Sequence, residues 1–156
     1  MDQMLDYFDT LSESEKRVFQ AIAEFAFNLG YKAKRDKSKT LSYTFTHRNV
    51  KKHILRFSSE KGKPIIKVKF FASQNYSDIF QEAVRMVIEE YDYKYTGCYG
   101  CGDCGGTQGY QYKYRDGREY YRCGKELIDL TDIKNIPIAE MLALFKAQHD
   151  FFITNR

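Results

Sequence analysis

The sequence predicts an α+β fold: an antiparallel sheet with helices packed chiefly on one face, plus a small loop-and-hairpin lobe carrying four cysteines. Three observations predict it. Side chains alternate with period two over 43–48, 53–57 and 66–70, in segments joined by turn-forming residues. Apolar residues recur at helical spacing before and after these segments. All four cysteines lie between residues 98 and 123, and six of the ten glycines lie between 97 and 109.

Ser12 and Glu15 form a capping-box pattern, and Val18, Ile22, Phe25, Ala26 and Leu29 follow on one helical face. With Gly30 as the terminating residue, this predicts a helix over 13–29. A shorter helix over 2–9 precedes it, with Met4, Leu5 and Phe8 inward. A charged edge strand at 31–36 leads into a three-strand meander. Tyr43, Phe45 and His47 share one face of the first strand, His53, Leu55 and Phe57 of the second, and Ile66, Val68 and Phe70 of the third. Residues 60–64 form the turn between the last two strands. Ser77 caps a helix over 78–91, whose stripe of Phe80, Ala83, Val84, Val87 and Tyr91 is expected to cover the meander.

Asp116-Gly117 predicts a hairpin with a two-residue loop. Arg115 then opposes Arg118, Tyr112 opposes Tyr121, and Tyr110 opposes Cys123. Residues 127–130 suit another strand. Pro137 opens a last helix with Ile138, Met141, Leu142, Phe145 and Phe152 on its core face. His149 shares that face and is expected to be a hydrogen-bonded core residue.

The length of 156 residues, with 43% hydrophobic residues, suits a single domain with a real core. Its halves are a helix–meander–helix unit at 1–95 and a cysteine-rich loop, hairpin and helix at 96–156. The amino terminus is acidic and predicts no signal peptide. No run of 18 apolar residues predicts a membrane span, so a cytoplasmic location is expected. In that compartment four cysteines point to metal or redox chemistry rather than a disulfide frame.

Cys98, Cys101, Cys104 and Cys123 have the spacing C-x2-C-x2-C-x18-C. Glycine permits the left-handed backbone that a tight thiolate cluster needs, and its amides can donate to sulfur. The expected ion is zinc. Ligation by all four cysteines leaves no open coordination position, which implies a structural role. The pieces Cys101-Gly-Asp-Cys104-Gly and Cys123-Gly124 resemble zinc-knuckle fragments of zinc-ribbon proteins over 98–124. A ribbon has two C-x2-C pairs, whereas here position 126 is Glu and Cys98 supplies the extra sulfur. An iron–sulfur cluster competes, because the run matches the first ligands of bacterial ferredoxins, although Gly124 replaces their proline. Metal-free thiols are the third reading.

Residues 30–70 hold 13 Lys and Arg against only Asp36 and Glu60, in a chain of net charge +4. Such a field favours nucleic acid, an acidic protein or another anionic partner. The candidate contacts are Lys32, Lys34, Arg35, Lys37, Arg48, Lys51, Lys52 and Arg56. Nine of 13 tyrosines lie in 91–121, and Tyr110, Tyr112, Tyr120 and Tyr121 are candidate stacking residues. Sheet packing is the plainer role for them. No G-x-S-x-G, H-E-x-x-H or P-loop is present, and His47, His53 and His149 lack a recognisable acid–base partner. His47 and His53 flank the first meander turn, where they can meet. The expectation is a non-enzymatic module presenting a basic sheet. Two other classes stay open: an effector-binding domain with an aromatic pocket for a small aromatic ligand, and an iron–sulfur electron carrier or redox sensor.

Overall fold

A computed structural model describes residues 1–70, 75–101 and 109–154. A 3₁₀ turn at Asp2–Met4 and the short α1 (Leu5–Phe8) precede α2 (Glu13–Asn28). The capping box forms: the Ser12 hydroxyl accepts from the Glu15 amide, and the Glu15 carboxylate accepts from the Ser12 amide at 2.9 Å. Gly30 takes φ +94°, the left-handed conformation that ends such a helix. In the first helical segment Met4, Tyr7 and Phe8 are buried, whereas Leu5, expected inside, is exposed.

Five strands form an antiparallel sheet in the order β1-β2-β3-β4-β7. They are β1 (Lys32–Arg35), β2 (Tyr43–Thr46), β3 (Leu55–Glu60), β4 (Lys63–Val68) and β7 (Ile128–Leu130). β1 is the charged edge strand that the sequence predicts. The turn between β3 and β4 is tighter than expected. Only Lys61 and Gly62 lie in it, both left-handed, as a type I′ turn requires. β7 pairs with β4 far along the chain, so the second half completes a sheet begun by the first.

The inward face carries Tyr43, Phe45, Leu55, Phe57, Ile66, Val68, Ile128 and Leu130. α2 lies on it, with the rings of Phe19 and Phe57 4.7 Å apart. α4 (Ile138–Thr154) packs beside α2, with Phe145 6.3 Å from Phe25. The Pro137 carbonyl accepts the first helical bond of α4, from the Met141 amide at 3.0 Å.

α3 (Asp78–Glu89) does not cover the meander. It packs against β7 and against a separate hairpin of β5 (Tyr110–Lys113) and β6 (Glu119–Arg122). Phe80, Ala83, Val84 and Ile88 form its buried stripe. Tyr91 leaves that stripe because the helix stops at Glu89 and Tyr91, Asp92 and Tyr93 all adopt left-handed φ. This reversal swings Tyr93 onto the hairpin, its ring 4.6 Å from Tyr120.

The hairpin register differs by one residue from the expected one. Tyr110 opposes Arg122 and Tyr112 opposes Tyr120. Because side chains alternate, the slip moves every β6 side chain to the other face. The loop has three residues, Arg115, Asp116 and Gly117, closed by Tyr114 N to Arg118 O at 2.8 Å. Gly117 alone is left-handed, which fits a type I turn with a bulge. The Asp116 carboxylate selects this geometry by accepting from the Arg118 amide at 3.0 Å and its Nε at 2.7 Å. Arg115 therefore does not oppose Arg118. Arg118 stacks on the Tyr114 ring at 4.7 Å instead. Among the described residues, no helix is long and apolar enough to cross a membrane.

Candidate functional site

The antiparallel register sorts the basic residues by sheet end. Lys32 opposes Thr46, Leu55 opposes Val68, and Val68 opposes Ile128. One end of the sheet thus holds the start of β1, the β2–β3 loop, the end of β4 and the start of β7. Of the eight predicted contacts, Lys32, Arg48, Lys51 and Lys52 belong to this end. Lys34 and Arg56 sit mid-sheet, in an outward row of Lys34, Thr44, Arg56, Lys67 and Asp129, one residue per strand. Arg35 and Lys37 lie toward the far end.

Much of the mid-sheet charge is neutralised. Arg56 donates to Thr44 Oγ1 at 3.0 Å and pairs with Asp36 at 3.7 Å. Lys67 pairs with Asp129 at 2.9 Å, and Arg35 with Asp6 at 3.1 Å. Such exposed pairs contribute little stability, but they cancel the local field.

A cavity of about 420 Å³ opens at the basic end. The β2–β3 loop contributes Lys51, Lys52 and His53 to its wall, and Lys69 enters from the residue after β4. Cys101, Cys123 and Lys125 come from the cysteine lobe. Leu127 and Phe152 form an apolar side, and Phe152 is the one aromatic among the described lining residues. Lys69 is only 6% exposed, and its ammonium lies 5.9 Å from the centre of the Phe152 ring. Lys69 and Lys125 escape the sequence reading, because only the β4–β7 pairing brings their segments together.

The cysteine lobe is assembled by the backbone. Thr96 and Gly97 bridge to Arg122, and the Gly97 amide donates to Tyr121 O at 2.6 Å. The next residue on each segment is a cysteine, Cys98 and Cys123. This bridge, rather than the expected pairing of Tyr110 with Cys123, joins the two segments. Gly97 and Gly100 both take positive φ, and the Gly100 amide donates to Cys98 Sγ at 3.4 Å. Cys123 is buried, whereas Cys98 and Cys101 are exposed. Cys104 lies outside the described residues. Among the described residues no three His, Cys, Asp or Glu side chains are grouped to hold a metal ion.

The tyrosines divide sharply. Tyr110 is fully buried and donates to Glu126 O at 2.7 Å; burial pushes its phenol far above the usual range. It has no ring face to offer an external base. Tyr112 and Tyr120 are half-buried in a cluster with Tyr93 and Tyr114. Tyr114 donates to Glu89 at 2.7 Å, and that bond, aided by Arg85, holds the Glu89 carboxyl below its ordinary range. Tyr121 is half-buried, its ring tip filling the space that a Cβ at Gly109 would need. The exposed rings are Tyr91, Tyr95 and Tyr99. Sequence reasoning missed them. Their one signal is a spacing of four residues leading to the first cysteines.

His47 and His53 part company. His53 is exposed at the cavity, whereas His47 turns inward and its Nδ1 accepts from the amides of Asn49 and Val50 at 3.1 and 3.2 Å. The His47 ring lies 5.2 Å from His149 and 4.9 Å from Tyr31. The Tyr31 hydroxyl and His149 Nδ1 form a hydrogen bond of 3.0 Å. His149 is thus the hydrogen-bonded core residue expected, and burial, reinforced by His47, lowers its pKa.

Compared with family models, with curated proteins and with solved structures, the chain matches none.

Proposed function

We propose that this chain is a non-enzymatic module that binds single-stranded nucleic acid through the basic end of its sheet. A structural zinc ion held by Cys98, Cys101, Cys104 and Cys123 stiffens the adjoining lobe. The observation that carries the reading is the convergence of Lys51, Lys52, Lys69, Lys125 and His53 around one cavity. Cations in a concave, partly desolvated surface focus their field on an anion. Exposed Tyr95 and Tyr99 flank Cys98 on the neighbouring segment, and aromatic faces beside lysines suit stacked bases.

For the metal, the support is the bond from the Gly100 amide to Cys98 Sγ and the shared cavity of Cys101 and Cys123. An amide donor to a thiolate lowers its charge density, as zinc–cysteine turns require. Four thiolates would leave zinc no open position, so the ion would serve the fold.

The test is a fluorescence-anisotropy titration with a short oligothymidylate over a range of salt concentrations. Four phosphate contacts on single-stranded nucleic acid predict a slope of log K against log salt of about −3. Absent binding, or affinity indifferent to salt, contradicts the proposal. A preference for polyglutamate would mean an acidic protein partner instead.

A further inference from the structure

We infer that His47 is the positioning residue of the β2–β3 loop, a latch that ties the placement of Lys51, Lys52 and His53 to pH. The half-buried ring follows β2, and its Nδ1 accepts from the amides of Asn49 at 3.1 Å and Val50 at 3.2 Å, two and three residues on. Asparagine side chains hold turns by the same local bonds, and an amide oxygen does not titrate. A histidine in this role does. Val50 is 3% exposed and Ile54 is fully buried, and the Ile54 carbonyl accepts from the Lys69 amide at 3.0 Å. Lys51, Lys52 and His53 therefore form an exposed arc pinned at both ends, and His47 holds the first pin.

Two N–H donors on one nitrogen require its lone pair, so the proton of the neutral ring is on Nε2. Protonation of Nδ1 sets a third N–H against those two. Both bonds are then lost, and the amide of buried Val50 loses its acceptor. The ring has little room to turn away. Nε2 lies against Gly30, where a Cβ would stand 3.1 Å from it. From α4 the ring faces His149, which lies beside Lys146 and Asp150, themselves paired at 2.7 Å. From the α2–β1 connection it faces Tyr31, whose phenol burial pushes far above the usual range. Arg48 is its exposed neighbour in the chain. Acidification thus frees the first pin of the arc while the Ile54 pin, a main-chain bond, does not titrate. The latch stands on the two bonds to Nδ1; its effect on an anion rests on the reading of the basic end as a nucleic-acid surface.

The test is amide hydrogen exchange, read by NMR as protection factors at about pH 7.5 and about pH 5.5, either side of an ordinary histidine titration. Protection of the Asn49 and Val50 amides is expected to fall about tenfold on acidification, the equivalent of one hydrogen bond. The amides of Arg56 and Lys67, paired between β3 and β4, should keep theirs. His47→Asn retains an acceptor that does not titrate, and should protect Asn49 and Val50 equally at both pH values. Should that variant fail to fold, the parent decides alone: the Asn49 and Val50 amide shifts should follow the midpoint at which the His47 ring titrates. A different midpoint, a loss shared equally by Arg56 and Lys67, or the parent's pH dependence in His47→Asn would overturn the latch. Oligothymidylate affinity supplies the second arm. The parent should bind more weakly than His47→Asn at the lower pH and equally at the higher. Amides that respond without this difference would keep the latch and overturn its effect on binding. Failure of both proteins to bind would overturn the reading of the basic end and leave the latch standing.

Discussion

Arg122 in β6 donates through its guanidinium to the main-chain carbonyl of Val87 in α3, across 3.2 Å. The side chain is 4% exposed and also faces Glu126 at 3.4 Å and Glu90 at 3.9 Å. One residue therefore ties α3, the hairpin and the turn after Cys123. Arg122→Ala should lower stability by about 2 kcal/mol, the range for hydrogen bonds to a charged group. Urea midpoints read the effect directly. Arg122→Lys should recover only part of it, because an ammonium cannot reproduce the planar fork. An alanine variant as stable as the parent would show that the link carries nothing.

The helices and the meander were legible because their signals are local. Ser12 and Glu15 mark a cap, and Phe45, Phe57 and Val68 mark inward strand positions, within windows of a few residues. The β4–β7 pairing has no such signal, since Val68 and Ile128 are joined by a long stretch of chain. The basic end was half legible for the same reason. Lys51 and Lys52 stand out by charge, but Lys69 and Lys125 reach the cavity only through that pairing. The hairpin slip has a different origin. Asp116-Gly117 is compatible with two loop lengths, and the Asp116 bonds to Arg118 decide between them. That decision puts buried Arg122 opposite Tyr110, in the place that the expected register gave to Cys123.

The His149 site predicts a pH dependence. Its folded pKa is depressed, first by burial and then by His47, with Lys146 acting the same way and Asp150 opposing. The unfolded chain therefore takes up a proton first as pH falls. The stability that neutral His149 contributes is complete above the unfolded value of about 6.5 and declines as pH falls through the folded value. Urea midpoints between about pH 7.5 and pH 5 should fall, and His149→Gln should flatten this part of the profile. An unchanged slope in the variant would place the dependence elsewhere.

Gly30 adjoins the same cluster. A Cβ there would stand 3.1 Å from His47 Nε2, on a backbone at φ +94°. Gly30→Ala should lower stability by about 1–2 kcal/mol, the cost of a left-handed alanine. Thermal denaturation checks it; an unaltered melting temperature would contradict the assigned backbone conformation.

Metal content tests the cysteine lobe. Protein purified without chelator should contain about one zinc ion per chain and no visible colour. Cys123→Ser should lose the ion and the near-UV tyrosine signal of the hairpin. Iron with visible absorption would convert the lobe to redox chemistry, and full zinc retention in the variant would remove Cys123 from the ligand set.

Two double variants show where the anion binds. Lys51→Gln with Lys52→Gln alters the basic end, whereas Lys61→Gln with Lys63→Gln removes equal charge at the opposite end, beside the β3–β4 turn. Oligothymidylate affinity is measured against salt for both. The first pair is expected to make the slope shallower by about 1.4, two contacts on single-stranded nucleic acid, while the second leaves it near the parent value. Equal loss from both pairs, or a larger loss from Lys61 and Lys63, would contradict it.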